Sequence, residues 1–150
     1  MSEKISPVAK AEILIRKPVA EVFNAFTDAE MITKFWFDKS TGSLKENANV
    51  QWIWTQFDMT IPVAVKEYKE NEKIVMTWGE NENQSNLEWT FTERSIDTTY
   101  VSLINHGFKG KNDKIISEAL GSTGGFNLVI AAAKAYLEHG IKLNIVKDKI

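Results

Sequence analysis

The chain opens on a two-residue rhythm. Between Val8 and Arg16, residues Ala9, Ala11, Ile13 and Ile15 fall on one side while Lys10, Glu12 and Arg16 fall on the other, the signature of a half-buried strand. Lys17-Pro18 ends it, and proline suits a first helical position because its missing N–H would be unpaired there. Val19, Val22, Phe23 and Phe26 then recur at helical spacing. Thr27 and Glu30 stand at capping-box spacing, which predicts a break and a second short helix from Asp28 to about Phe35, ending in Phe35-Trp36-Phe37.

From there the period returns to two. Ser40 to Asn49 is turn-rich, with room for one short strand. Val50, Trp52 and Trp54 share a face, then Val63 and Val65, a row that continues to Glu67 and opposes Ala64, Lys66 and Tyr68. Pro62 predicts an edge or the start of a strand. Ile74, Met76 and Trp78 form the next row, Leu87, Trp89 and Phe91 another, and Val101, Leu103 and Asn105 the last. Polar turns such as Glu80 to Asn86 separate them, so the middle of the chain reads as an antiparallel meander. After the polar loop from Lys109 to Asp113, Ile115, Ile116, Ala119 and Leu120 are helical in spacing. Gly121 to Gly125 interrupts as a loop, a kink or a new start. Phe126, Val129, Ile130, Ala133 and Leu137 then resume the helix, which Gly140 can cap. Ile141 to Ile150 is a tail without a pattern.

The order strand, two helices, about six strands, long helix predicts an α+β fold. One antiparallel sheet of six or seven strands has one apolar face to cover, and only the C-terminal helix is long and apolar enough to cover it. The expected architecture is a curved sheet wrapped around that helix, with the two early helices closing one end. A chain of 150 residues without internal repeat or linker fits one domain.

Composition narrows the function classes. The formal net charge is −2 and the only arginines are Arg16 and Arg94, so there is no basic stripe and no nucleic-acid partner is expected. The absence of Cys excludes disulfides and thiolate chemistry. The N-terminus has no apolar stretch of signal-peptide type, and no uninterrupted apolar run approaches membrane-span length, so a cytoplasmic location without a membrane span is expected. His106 and His139 are the only histidines and no ligand spacing joins them, so no metal or other cofactor is expected.

Two stretches resemble a known family. Lys17-Pro18-Val19-Ala20-Glu21-Val22-Phe23-Asn24-Ala25-Phe26-Thr27-Asp28-Ala29-Glu30, followed by Phe35-Trp36, resembles the opening of the START-like (SRPBCC) superfamily, closest to the branch of activator-of-heat-shock-protein-ATPase homologues. Gly124 to Ile130 with Lys134 to Gly140 resembles that branch's closing helix, and Asn105-His106-Gly107-Phe108 fits the strand before it. Phe23 and Phe126 stand where the branch often has Trp, a conservative departure. The resemblance implies the helix-grip fold, with a cavity between sheet and long helix. It does not fix a function, because the superfamily includes lipid carriers, aromatic polyketide cyclases, hormone receptors and chaperone cofactors.

The aromatic rows are therefore the first candidates. Phe35, Trp36, Trp52, Trp54, Met76, Trp78, Trp89 and Phe91, with Phe126 and Ile130 from the helix, either wall a ligand cavity or fill a packed core. His106 is a candidate polar group near the cavity mouth. Glu67, if it follows Val63 and Val65 inward, is a second titratable candidate. His139 reads as a cation on the last helical turn. Three functions follow from these residues. The first is a binding protein for a small apolar or amphipathic molecule. The second is a module for a protein partner, in the manner of the chaperone-ATPase activators, as a monomer or homodimer. The third is a cavity enzyme such as a cyclase or hydrolase, which would need two titratable groups converging inside; the sequence offers only His106 and Glu67.

Overall fold

The computed structural model describes residues 5–149. Strand β1 (Ala9–Ile15) leads into helices α1 (Val19–Thr27) and α2 (Ala29–Ile32). Six further strands follow: β2 (Lys39–Ser40), β3 (Asn49–Trp54), β4 (Met59–Lys69), β5 (Lys73–Trp78), β6 (Ser85–Ser95) and β7 (Thr98–His106). Helix α3 (Asn112–His139) closes the order. The strands form one antiparallel sheet in the order β1-β7-β6-β5-β4-β3-β2, a meander whose last strand returns beside the first. This is the α+β architecture that the hydrophobic rows predict, and the helix-grip fold that the resemblance implies. The rows point as read: Val50, Trp52, Trp54, Val63, Val65, Ile74, Met76, Leu87, Trp89, Phe91, Val101 and Leu103 are all buried in one core with Phe126, Val129, Ile130 and Leu137 of α3.

Several local expectations are corrected by particular contacts. The cap of α2 is Asp28, not Thr27: the Asp28 carboxylate accepts from the N–H groups of Glu30 (2.8 Å) and Met31 (3.2 Å). The Thr27 hydroxyl turns back to the Phe23 carbonyl at 3.1 Å. The α-helix stops at Ile32, after which Lys34 and Phe35 tuck back onto Met31 and Ile32 in tighter, three-residue turns. Pro18 caps α1 from just outside it, its carbonyl accepting from Glu21 and Val22. Pro62 lies inside a strand with neighbours on both sides. Its carbonyl accepts from Gly79, just past the end of β5 at Trp78, so its missing N–H faces the place where β5 has run out.

The Gly-rich step is neither loop nor kink, for α3 runs through it unbroken. Gly121, Gly124 and Gly125 each forgo about 1 kcal/mol of helix propensity relative to alanine. What holds the segment is tertiary: Ala119 and Phe126 are buried on either side, and the Ser122 hydroxyl reaches the sheet at Asn105 (2.6 Å). Gly140 caps the helix in the left-handed conformation (φ 67°). The tail then folds back, with Ile145 and Val146 packed on the core and Lys147 paired to Asp38 at 2.9 Å.

Helix α3 also covers the free edge of β1. An edge strand presents unpaired N–H and C=O groups that invite a second chain. Here Glu138 accepts the Arg16 N–H at 2.8 Å, Lys134 Nζ donates to the Leu14 carbonyl at 2.6 Å, and Lys134 and Glu138 pair with each other at 2.6 Å. Burial pushes the Glu138 carboxyl up, but the Arg16 N–H and the Lys134 ammonium pull it below the ordinary carboxylate value. A carboxyl depressed in the folded state stabilises above its unfolded pKa of about 4.3, and that contribution is lost as pH falls through the lower folded value. Glu138→Gln is therefore expected to cost roughly 1 kcal/mol at pH 7. The gap from the parent should close as urea melts are repeated toward pH 3; a gap that stays constant would remove the charge from the account.

By length and mean hydropathy, α3 is also apolar enough to cross a bilayer. The sequence hid this because Lys114, Glu118 and the glycines break the apolar run, while the window average stays high. In the fold, Ile115, Ala119, Phe126, Ile130, Ala133 and Leu137 are buried, as in the core helix of a globular domain.

Candidate functional site

Helix α3 lies along β1, so it does not close over the whole sheet. Between its N-terminal half and the ends of β4, β5, β6 and β7 a pocket of about 590 Å³ remains. That is within the usual range for small-molecule sites. Trp36, Trp78 and Phe126 form one wall, with ring centroids 5.3–6.3 Å apart. Met59, Thr60, Ile61 and Pro62, the part of β4 that overhangs the end of β5, form a second. Gly121, Ser122, Gly125 and Val129 of α3 form the third, and Val146 of the tail closes it. A Cβ added at Gly121 or Gly125 would meet no atom within 4 Å, so both glycines face open space.

One end of the pocket is polar. Asn105 is 1% exposed, and both its amide hydrogens are used: Nδ2 donates to Ser85 Oγ (2.9 Å) and to the Asn86 carbonyl (2.8 Å), while Oδ1 accepts from Ser122 Oγ (2.6 Å). The Asn86 carbonyl fixes which amide atom is nitrogen. Ser85, 6% exposed, also accepts the Trp78 indole N–H at 3.1 Å. Strand β6 positions Ser85, β7 positions Asn105 and α3 supplies Ser122, so the network ties the helix to the sheet across the pocket's inner end. At the rim stand Glu80 and Glu118, the latter paired to Lys114 at 3.4 Å.

The candidates separate into three groups. Trp36, Trp78 and Phe126 reach the pocket. Phe35, Trp52, Trp54, Met76, Trp89, Phe91 and Ile130 are core: Trp52 stacks on Phe37 at 4.5 Å, and Trp89 packs on Phe26 at 4.8 Å. The aromatic rows are thus mostly core and partly cavity wall.

His106 belongs to neither group. It lies beyond inward Asn105 on β7, so its ring is on the outer face, bonded to Glu88 at 3.1 Å. Glu67 is there too. A bulge between Val65 and Glu67 shifts the register, so that Tyr68 pairs with buried Ile74 and meets Phe23 at 5.4 Å. Glu67 then faces out to Lys73 at 3.3 Å. The two titratable candidates do not converge inside. His139 sits exposed in the last turn of α3. Among the described residues no cluster of potential ligands could hold a metal ion.

Ser85 is not singled out by the sequence, and Gly121, Ser122 and Gly125 stand out there only as parts of a glycine-rich step in the helix, not as lining of a pocket. Ser85 carried a signal, since it sits two residues before Leu87 in an inward row. Asn105 carried one too, as the polar member of the Val101, Leu103 row. A polar residue continuing an apolar row is buried with a partner or lines a cavity.

Known proteins resemble the chain throughout this architecture. Protein SSP2350 from Staphylococcus saprophyticus is 24% identical with a TM-score of 0.77, the match covering 91% of this chain and 95% of that one. The Aha1 dimer from Colwellia psychrerythraea matches at 12% identity and TM-score 0.73, covering 89% and 97%. PFC0360w, an HSP90 activator from Plasmodium falciparum, matches at 18% and 0.67, covering 89% and 96%. At these identities the likeness shows the shared fold. No curated protein matches. The model of the family described as Activator of Hsp90 ATPase homolog 1-like protein matches residues 16–138, from the end of β1 to the last turn of α3, and the chain belongs to that family.

Proposed function

We propose that this protein binds a small apolar or amphipathic molecule in the pocket between α3 and the ends of β4 to β7. The observation that carries the reading is the pairing of about 590 Å³ of space with a buried hydrogen-bond network at one end and aromatic walls. Gly121 and Gly125 add to it. Alanine at either position would favour the helix and meet no obstacle, so the glycines cost stability where they leave room. A pocket that trades stability for volume is what a binding site requires.

The test is calorimetric titration with 2-acetylnaphthalene, a flat molecule that fits the volume. About 13 non-hydrogen atoms at roughly 0.5 kcal/mol each give an expected Kd on the order of 10–100 µM. No heat and no saturation up to the probe's solubility would count against the reading.

A second reading, a protein-partner module, is favoured by the family itself and by Ile116 and Leu120. These lie one turn apart on α3, and Leu120 is 70% exposed. It predicts that Leu120→Lys abolishes partner capture while leaving probe binding intact.

A further inference from the structure

At the pocket's polar end every side-chain donor is spent except one. Ser85 Oγ accepts two bonds, from the Trp78 indole and the Asn105 amide, which use both its lone pairs. Its own O–H has no acceptor among the described residues, and the side chain is buried and lines the pocket. Facing the pocket, this O–H is the donor left for water or for the acceptor group of a ligand. Asn105 has both amide hydrogens engaged and Ser122 spends its proton on Asn105, so neither has a donor left.

The charged side chains that line the pocket bear on an anion in one direction. No Lys or Arg is among its lining residues, whereas Glu80 and Glu118 are. The Lys114 ammonium is turned to Glu118 and to the carbonyls of Glu82 and Lys109, and that of Lys149 stands beside Gly124, outside the lining. A carboxylate or phosphate drawn between Trp36, Trp78 and Phe126 would lose its water and find no cation, and a buried charge without a partner is strongly disfavoured.

Resting on the ligand-binding reading above, we propose that the ligand is an uncharged aromatic or alicyclic molecule bearing a hydrogen-bond acceptor, a ketone or ester oxygen, which takes the Ser85 O–H while its apolar body lies on Trp36, Trp78 and Phe126. The pocket selects against free acids by lacking a cation and by its two rim carboxylates.

Three matched probes test this by calorimetry at pH 7: 2-acetylnaphthalene (neutral acceptor), 2-ethylnaphthalene (the same outline without the acceptor) and 2-naphthoate (an anion). The expected pattern has two arms. Ser85→Ala weakens 2-acetylnaphthalene by about fivefold to tenfold while 2-ethylnaphthalene stays within about twofold. 2-Naphthoate binds the parent at least about tenfold more weakly than 2-acetylnaphthalene, and Glu80→Gln with Glu118→Gln narrows that gap. The second arm stands alone if Ser85→Ala fails to fold, because both glutamates are at the rim. Equal weakening of both neutral probes, or naphthoate as the tightest of the three, overturns the proposal while leaving the pocket a binding site. Failure of all three to bind overturns the ligand-binding reading itself.

Discussion

Replacing Trp52 by alanine is expected to remove about 3–5 kcal/mol of stability, the largest loss from any single truncation in the core. Trp52 is 1% exposed, stacks on Phe37 at 4.5 Å with planes 24° apart, and meets Trp36 at 4.9 Å. Its removal opens a void beneath two aromatic side chains that are themselves pinned. Trp36 is held by Trp78, Trp89 and Phe126, and Phe37 by Trp54, so the site cannot collapse to fill the space. Against a total of about 5–15 kcal/mol for a domain, such a loss leaves little reserve. Urea unfolding followed by circular dichroism measures it. A loss under about 1.5 kcal/mol would mean that this end of the core is plastic, and that the boundary drawn here between core and pocket is misplaced.

The opposite outcome is expected on the other side of that boundary. Gly125→Leu should abolish 2-acetylnaphthalene binding, by more than about 100-fold, while leaving the protein as stable as before or more so. The new side chain starts where no atom lies within 4 Å and grows into the pocket, so it fills space without displacing backbone. Leucine also recovers close to 1 kcal/mol of helix propensity. Thermal melts and calorimetry on the same preparation separate the two effects. A variant that melts well below the parent would show that the helix needs glycine there for close packing. One that still binds the probe would place the ligand elsewhere.

The contrast between Trp52 and Gly125 shows what the sequence can and cannot carry. Period-two rows with polar turns made the meander legible, and the 3.6-residue period after Phe108 made α3 legible. Both periodicities report only which face is inward. They do not report how far the opposite layer stands from that face, and this distance divides cavity from core. Trp52 and Trp78 have the same alternation on β3 and β5, the two strands that flank β4. One is stacked under Phe37; the other edges the pocket, because α3 is drawn toward β1 by Glu138, Lys134 and Asn127. Those contacts span more than 100 residues of chain, and no local pattern announces them. Glu67 illustrates a second limit. One bulged residue inverted the assignment of Glu67 and Tyr68, and nothing in Val63-Ala64-Val65-Lys66-Glu67 marks it. The glycine step misled for a related reason. Intrinsic propensity argued for a break, and packing of Ala119 and Phe126 on the sheet overrode it.

The polar end of the pocket was more readable than it looked. Asn105 stood in an inward row with Val101 and Leu103, and Ser85 led the row of Leu87, Trp89 and Phe91. Two polar residues on the core side of neighbouring strands, two residues out of register near the same sheet end, are a stronger site signal than an aromatic row. His106 drew attention by its chemistry, and its parity, opposite to that of Asn105, excluded it.

The most direct test of the account is where a neutral probe lands. A ¹H–¹⁵N correlation spectrum titrated with 2-acetylnaphthalene should shift the Trp78 indole N–H and the backbone amides of Gly79, Ser85, Gly121 and Gly125, and leave His106 and Glu67 on the outer face unmoved. Shifts confined to Ile116, Leu120 and their surroundings, with the pocket amides unchanged, would contradict a binding pocket between α3 and the strand ends.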